Sequence, residues 1–143
     1  MLHLRQVKHL ARQTNMSVER LDKTLDDIDS DYEKLILLNP HKPDKPRNVV
    51  SVKGAVRKFQ SRLYRRVLLP RLVPSSHSHG GVRGRHIKSN ALAHRRSAFV
   101  FKTDISDFYP SVHHSRVYRL FTEKFACSPD VARICTRLCT YQP

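Results

Sequence analysis

Apolar residues recur along much of the chain at the three- and four-residue intervals that gather them on one side of a helix. Val18, Leu21, Leu25 and Ile28 make the first such stripe, and Ser17 stands where a side chain caps the first turn. Leu35 to Leu38 is a short apolar block leading into Asn39-Pro-His-Lys-Pro-Asp-Lys-Pro-Arg47, whose prolines exclude a helix. Val49, Val50 and Val52 follow as a strand, so this stretch predicts a hairpin with a basic tip.

Helical spacing returns from Gly54 to Leu72. Val56, Phe59, Leu63 and Val67 share one face, and Arg57, Lys58, Arg62, Arg65 and Arg66 occupy the rest. Pro70 and Pro74 end that helix, and residues 75–85 form a loop in which Gly80, Gly81 and Gly84 allow close backbone approach to a ligand. Ala98 to Asp104 is rich in β-formers and predicts a strand ending at or just past Asp104. Val117, Leu120, Phe121 and Phe125 sketch a helix. Another starts at the cap Ser128, with Pro129 in its first turn, and carries Val131, Ile134, Cys135 and Leu138.

Composition narrows the function classes. A chain of 143 residues is one domain or a piece of a larger one. Lys and Arg number 27 against 12 Asp and Glu, and the formal charge of +15 exceeds what solubility requires. Phosphate neutralisation makes nucleic acid the first partner to expect. No apolar run approaches the length of a spanning helix and no signal-peptide pattern opens the chain, so it reads as a soluble cytoplasmic protein with no membrane partner. Cys127, Cys135 and Cys139 are odd in number and lack a CxxC, which indicates neither a disulfide framework nor a common zinc module.

Chemistry concentrates in Phe101-Lys-Thr-Asp-Ile-Ser-Asp-Phe-Tyr-Pro-Ser111, where an apolar strand runs into two carboxylates three residues apart and then an aromatic-Pro turn. This stretch resembles the first palm motif of reverse transcriptases, particularly the bacterial enzymes of retron and defence-associated types. Phosphodiester synthesis needs two divalent metals, and Mg²⁺ prefers carboxylate oxygens on a rigid element. The resemblance implies that Asp104 is a catalytic metal ligand, with the backbone carbonyl of Ile105 beside it. It implies that the amide of Asp107 faces the triphosphate and that Tyr109 stacks under the incoming sugar. The hairpin is similar to the fingers hairpin that grips the β- and γ-phosphates of a dNTP, with Arg47 the better match and Lys45 the second. Gly80-Gly-Val-Arg-Gly-Arg85 and the following residues resemble a template-holding segment, which puts nucleic-acid contact on Arg83, Arg85 and Lys88.

The fold this implies is α+β: a fingers-like region over residues 1–95, with helices, basic hairpin and Gly/Arg loop, and the start of a right-hand polymerase palm over 96–143. The implied partners are an RNA template, a DNA or RNA primer and dNTP, with a structured non-coding RNA as a further one. The implied cofactor is Mg²⁺. The family's Tyr-x-Asp-Asp turn is not in the sequence, so the metal site is only partly encoded. The expectation is a fragment, ahead of half of a split enzyme, and a chain that alone extends no primer. Two rivals remain. A non-catalytic nucleic-acid-binding module would need the charge but not Asp104 and Asp107, whose carboxylates repel phosphate. A zinc protein would draw on the nine His and three Cys, which show no module spacing.

Overall fold

In a computed structural model of the chain, residues 4–40 and 42–141 are described, with the backbone alone for 39 and 42–45. The elements run α1 (Val7–Thr14), α2 (Val18–Asp26), β1 (Tyr32–Asn39), β2 (Lys42–Val52), α3 (Gly54–Arg62), α4 (Ile87–Ala93), α5 (Phe108–Ser111), α6 (His114–Arg119) and α7 (Pro129–Cys139). The protein is α+β, as its sequence pattern predicts. The chain divides into one unit of Met1–Arg71 with Val112–Pro143 and a second of Leu72–Ser111.

The first unit holds the core. Leu10 of α1, Leu21 of α2, Phe59 of α3, and Val131, Cys135 and Leu138 of α7 have no exposed surface. The helical stripe of α3 continues through a π-helical stretch, Leu63–Leu68, in which the Leu69 N–H donates to the Tyr64 carbonyl at 2.7 Å. That stretch keeps Leu63 and Val67 buried with Val56 and Phe59. Burial in the same core pushes the Cys135 thiol pKa up. Caps fall where the sequence places them: Ser17 Oγ accepts from the Arg20 N–H at 3.2 Å, and Ser128 Oγ from the Val131 N–H at 3.4 Å. Helix α7 is tied to α3 by Gln60, whose Nε2 donates to the Leu138 carbonyl at 2.8 Å.

Strands β1 and β2 form an antiparallel ribbon in which Tyr32 pairs with Val52 and Leu37 with Arg47. The expected hairpin is present, but β2 runs on through residues 42–47 rather than leaving them as a loop. In a two-stranded ribbon half of each strand's N–H groups face outward, so proline can sit in it without removing a ladder bond. At the base of the hairpin, the Lys53 N–H donates to the Asp31 carbonyl at 2.8 Å, and Asp31 Oδ2 accepts from the Val56 N–H at 2.9 Å. Asp31 thereby caps α3 from across the hairpin. The Tyr32 ring lies 5.0 Å from that of Tyr141, and its hydroxyl makes a long contact, 3.5 Å, to the Thr140 carbonyl.

The second unit is mostly irregular. Arg85 organises its loop: Nη1 donates to the carbonyls of Ser75, Ser76 and Ser78. Helix α4 is closed by a capping box in which His86 Nδ1 accepts from the Ser89 N–H and Ser89 Oγ accepts from the His86 N–H. The strand expected over Ala98 to Asp104 is absent. Those residues have no regular structure, and Phe99 and Phe101 are 95% and 90% exposed. A strand needs a neighbour to complete its ladder, and among the described residues only β1 and β2 pair.

Candidate active site

Asp104 lies near the end of the irregular stretch, two residues before a turn at Ser106 and Asp107. Its Oδ1 accepts the Ile105 N–H at 3.0 Å, a local bond of the kind Asp makes where helix and sheet do not claim the backbone. Its other oxygen has no hydrogen bond to protein among the described residues. Asp107 has φ +48°, in the left-handed region that Asp tolerates better than most side chains. That conformation turns the chain into α5, where the Asp107 carbonyl accepts from the Ser111 N–H at 2.9 Å and Ser111 Oγ donates to the Phe108 carbonyl at 2.7 Å. Pro110 is tolerated because the first turn of a helix leaves its N–H groups unpaired.

Asp104, Ile105, Asp107 and Tyr109 are all exposed, with Tyr109 at 87%. The Phe108 and Tyr109 rings meet edge to face at 5.4 Å, so each limits the other's rotation while Tyr109 keeps an open side. The segment therefore displays two carboxylates and an aromatic surface on one short turn. Among the described residues no three His, Cys, Asp or Glu side chains form a metal-holding group. The residues present fit Mg²⁺ in part: one hard carboxylate oxygen and a neighbouring carbonyl are the right donors.

Arg47 lies on β2 opposite Leu37, exposed and without an acidic partner among the described residues. By strand alternation it shares a face with Val49 and Leu35, opposite the face on which Tyr32 and Val52 pack against the core. The side chain of Lys45 lies outside the described residues. Arg83 and Lys88 are exposed. Arg85 differs from them, because its Nη1 is occupied by loop carbonyls and only the remainder of its guanidinium is open.

The first unit also carries a feature beyond the residues singled out in the sequence. A shallow open cleft along α3 and its continuation is lined by Lys53, Arg57, Lys58, Arg62, Arg65 and Arg66. The sequence signal for it is the polar face of the helix, which holds cations and no acid.

No family model matches the chain. Over 126 residues it is 30% identical to the retron Se72 reverse transcriptase of Salmonella heidelberg (strain 579083-10), a match that takes in 85% of this chain and 32% of that protein. Over 78 residues it is 37% identical to the retron Mx162 reverse transcriptase of Myxococcus xanthus, covering 54% of this chain and 16% of the relative. The chain thus matches about a third or less of the length of each. Among the described residues no helix is long and apolar enough to cross a membrane. Matched over most of its length by one retron reverse transcriptase and over about half by another, the chain is similar to part of a retron-type bacterial reverse transcriptase.

Proposed function

We propose that this chain supplies the nucleotide-gripping fingers and the first palm motif of an RNA-directed DNA polymerase that joins dNTP to a primer 3′-hydroxyl on an RNA template. The observation that carries this reading is the turn Asp104 to Ser111, which exposes a carboxylate oxygen and Tyr109 together, in a chain related to retron reverse transcriptases.

Mg²⁺, when bound, activates the primer hydroxyl and steadies the leaving oxygen. Asp104 would hold it through the oxygen that the Ile105 amide leaves open, with the Ile105 carbonyl beside it. The two residues are one part of a two-metal site, and the other carboxylates come from elsewhere in the whole protein. The amide of Asp107 faces the triphosphate, and Tyr109 packs under the sugar and excludes a 2′-hydroxyl. Arg47, with Lys45, binds the β- and γ-phosphates, where a guanidinium offers a bidentate fork. Arg83, on a loop that Arg85 holds in shape, and Lys88, in the first turn of α4, contact the template backbone.

The test uses the whole protein encoded with this sequence. Primer extension on an RNA template with Mg²⁺ is expected in the wild type and lost in Asp104→Asn, and synthesis persisting in that variant would overturn the reading. The present chain by itself is expected to bind RNA in a salt-sensitive way and to extend no primer. A non-catalytic binding module is the second reading, favoured by the cationic cleft on α3. It predicts that Asp104→Asn changes nothing.

A further inference from the structure

We propose that the cleft along α3 is a track for the sugar-phosphate backbone of an RNA strand. Arg57 and Arg65 are eight residues apart on one line, and Lys58, Arg62 and Arg66 succeed one another at four-residue intervals on the next. Within α3 the four-residue step from Lys58 to Arg62 advances about 6 Å along the axis, and Arg65 and Arg66 extend the rows onto the π-helical stretch. Lys53, at the hairpin base, continues the first line towards the N-terminal end of the helix. The rows therefore offer a cation to each of several successive phosphates.

Charge and burial select the ligand. The ion pair found among the described residues is Arg119 with Glu123, so no described carboxylate neutralises these cations. Lys53, Arg57, Lys58, Arg65 and Arg66 are exposed, while Arg62 is half-buried and fixed at the cleft floor by donating to the carbonyl of Asn15 at 2.8 Å. Four of the six are arginines, whose planar forks match phosphate oxygens. An anionic bilayer is a poorer fit. A helix lying on a membrane inserts an apolar face, and here that face, Val56, Phe59, Leu63 and Val67, is wholly within the core. RNA is the polyanion to expect because the relatives are reverse transcriptases. In this the inference rests on the proposed function for the choice of partner, but not on Asp104 or any metal.

The experiment measures binding of a single-stranded RNA 20-mer to the full 143-residue chain across a salt series. The variant is Arg57→Gln/Lys58→Gln/Arg65→Gln/Arg66→Gln. The comparison is Lys8→Gln/Arg12→Gln/Arg20→Gln/Lys23→Gln, which removes the same charge from exposed positions on α1 and α2. Each lost phosphate contact lowers the slope of log K against log salt by about 0.7 for a single strand, so the cleft variant should lose roughly 2.8 from that slope. The comparison variant should lose well under half as much. Circular dichroism of both checks that the fold is retained. Equal losses in the two variants would overturn the proposal, since charge anywhere would then serve. So would a cleft variant that binds RNA normally while losing affinity for phosphatidylserine vesicles. Primer extension by the whole protein with and without Asp104→Asn is read separately from these salt slopes, so failure of the catalytic assignment and failure of this one give different results.

Discussion

Replacing Gly54 by alanine tests how the β1–β2 hairpin is joined to the core. Gly54 has φ +57°, a conformation that costs an L-residue about 1–2 kcal/mol. A methyl group there would collide with Oδ1 of Asp31 and lie 2.6 Å from its Cγ. The carboxylate must swing aside, and in doing so it releases the Val56 N–H that it caps at 2.9 Å. A lost cap costs about 0.5–2 kcal/mol, so Gly54→Ala should destabilise the chain by about 1.5–4 kcal/mol in all.

The mechanism makes a sharper forecast than the size. Asp31→Ala in the native background removes the cap alone and should cost about 0.5–2 kcal/mol. Once the added methyl group has expelled the carboxylate there is no cap left to remove, so adding Asp31→Ala to Gly54→Ala should change stability by less than about 0.5 kcal/mol. Urea unfolding of the four proteins, followed by circular dichroism, gives the double-mutant cycle. If the two costs simply add, the contact between Asp31 and the first turn of α3 is not what Gly54 protects, and the account fails.

Phe59 has no exposed surface, so Phe59→Ala should cost about 3–5 kcal/mol in thermal or urea unfolding, and a loss near that of a surface substitution would misplace the core. Ser128→Ala should cost about 1 kcal/mol by releasing the Val131 N–H, and Ser128→Asp should restore most of it. The Tyr32 pKa is raised, first by burial and then by Cys139, Asp29 and Asp31. A group whose neutral form the fold favours contributes stability that is intact below its unfolded pKa of about 10 and is lost as pH climbs towards the folded value. Tyr32→Phe should therefore lose less stability than the wild type between about pH 9 and 11; parallel pH profiles would refute the assignment.

Periodicity made much of the first unit legible. The stripe of α3 and the caps Ser17 and Ser128 are local signals, and the core used them as the spacing implied. Helix α1 escaped because Leu10, Ala11 and Thr14 give it only a narrow buried face. The contact of Asp31 with Gly54 was illegible for a different reason: the hairpin must close before residues so far apart in sequence meet. Arg85 shows the same divide. Its type and its glycine-rich neighbourhood suit phosphate, but whether loop carbonyls occupy its donors depends on how the loop folds back.

The missing strand is the most instructive difference, because it bears on what the proposed role of Asp104 would require. Phe99, Val100 and Phe101 have the side chains of a strand, and local preference read them as one. Preference does not supply ladder bonds, and without them the segment stays irregular and exposed. A carboxylate that holds a hard cation in reactive geometry must be fixed to within about half an ångström. Among the described residues Asp104 is restrained by the Ile105 amide and by the turn that leads into α5. Ladder pairing of residues 98–104 would order that carboxylate, and a bound cation would in turn favour the paired state, since a ligand that prefers one conformation shifts the population towards it. On the proposed role of Asp104, strand formation and metal affinity would be coupled at this position, whereas Arg47 sits on a ribbon whose base the core already holds.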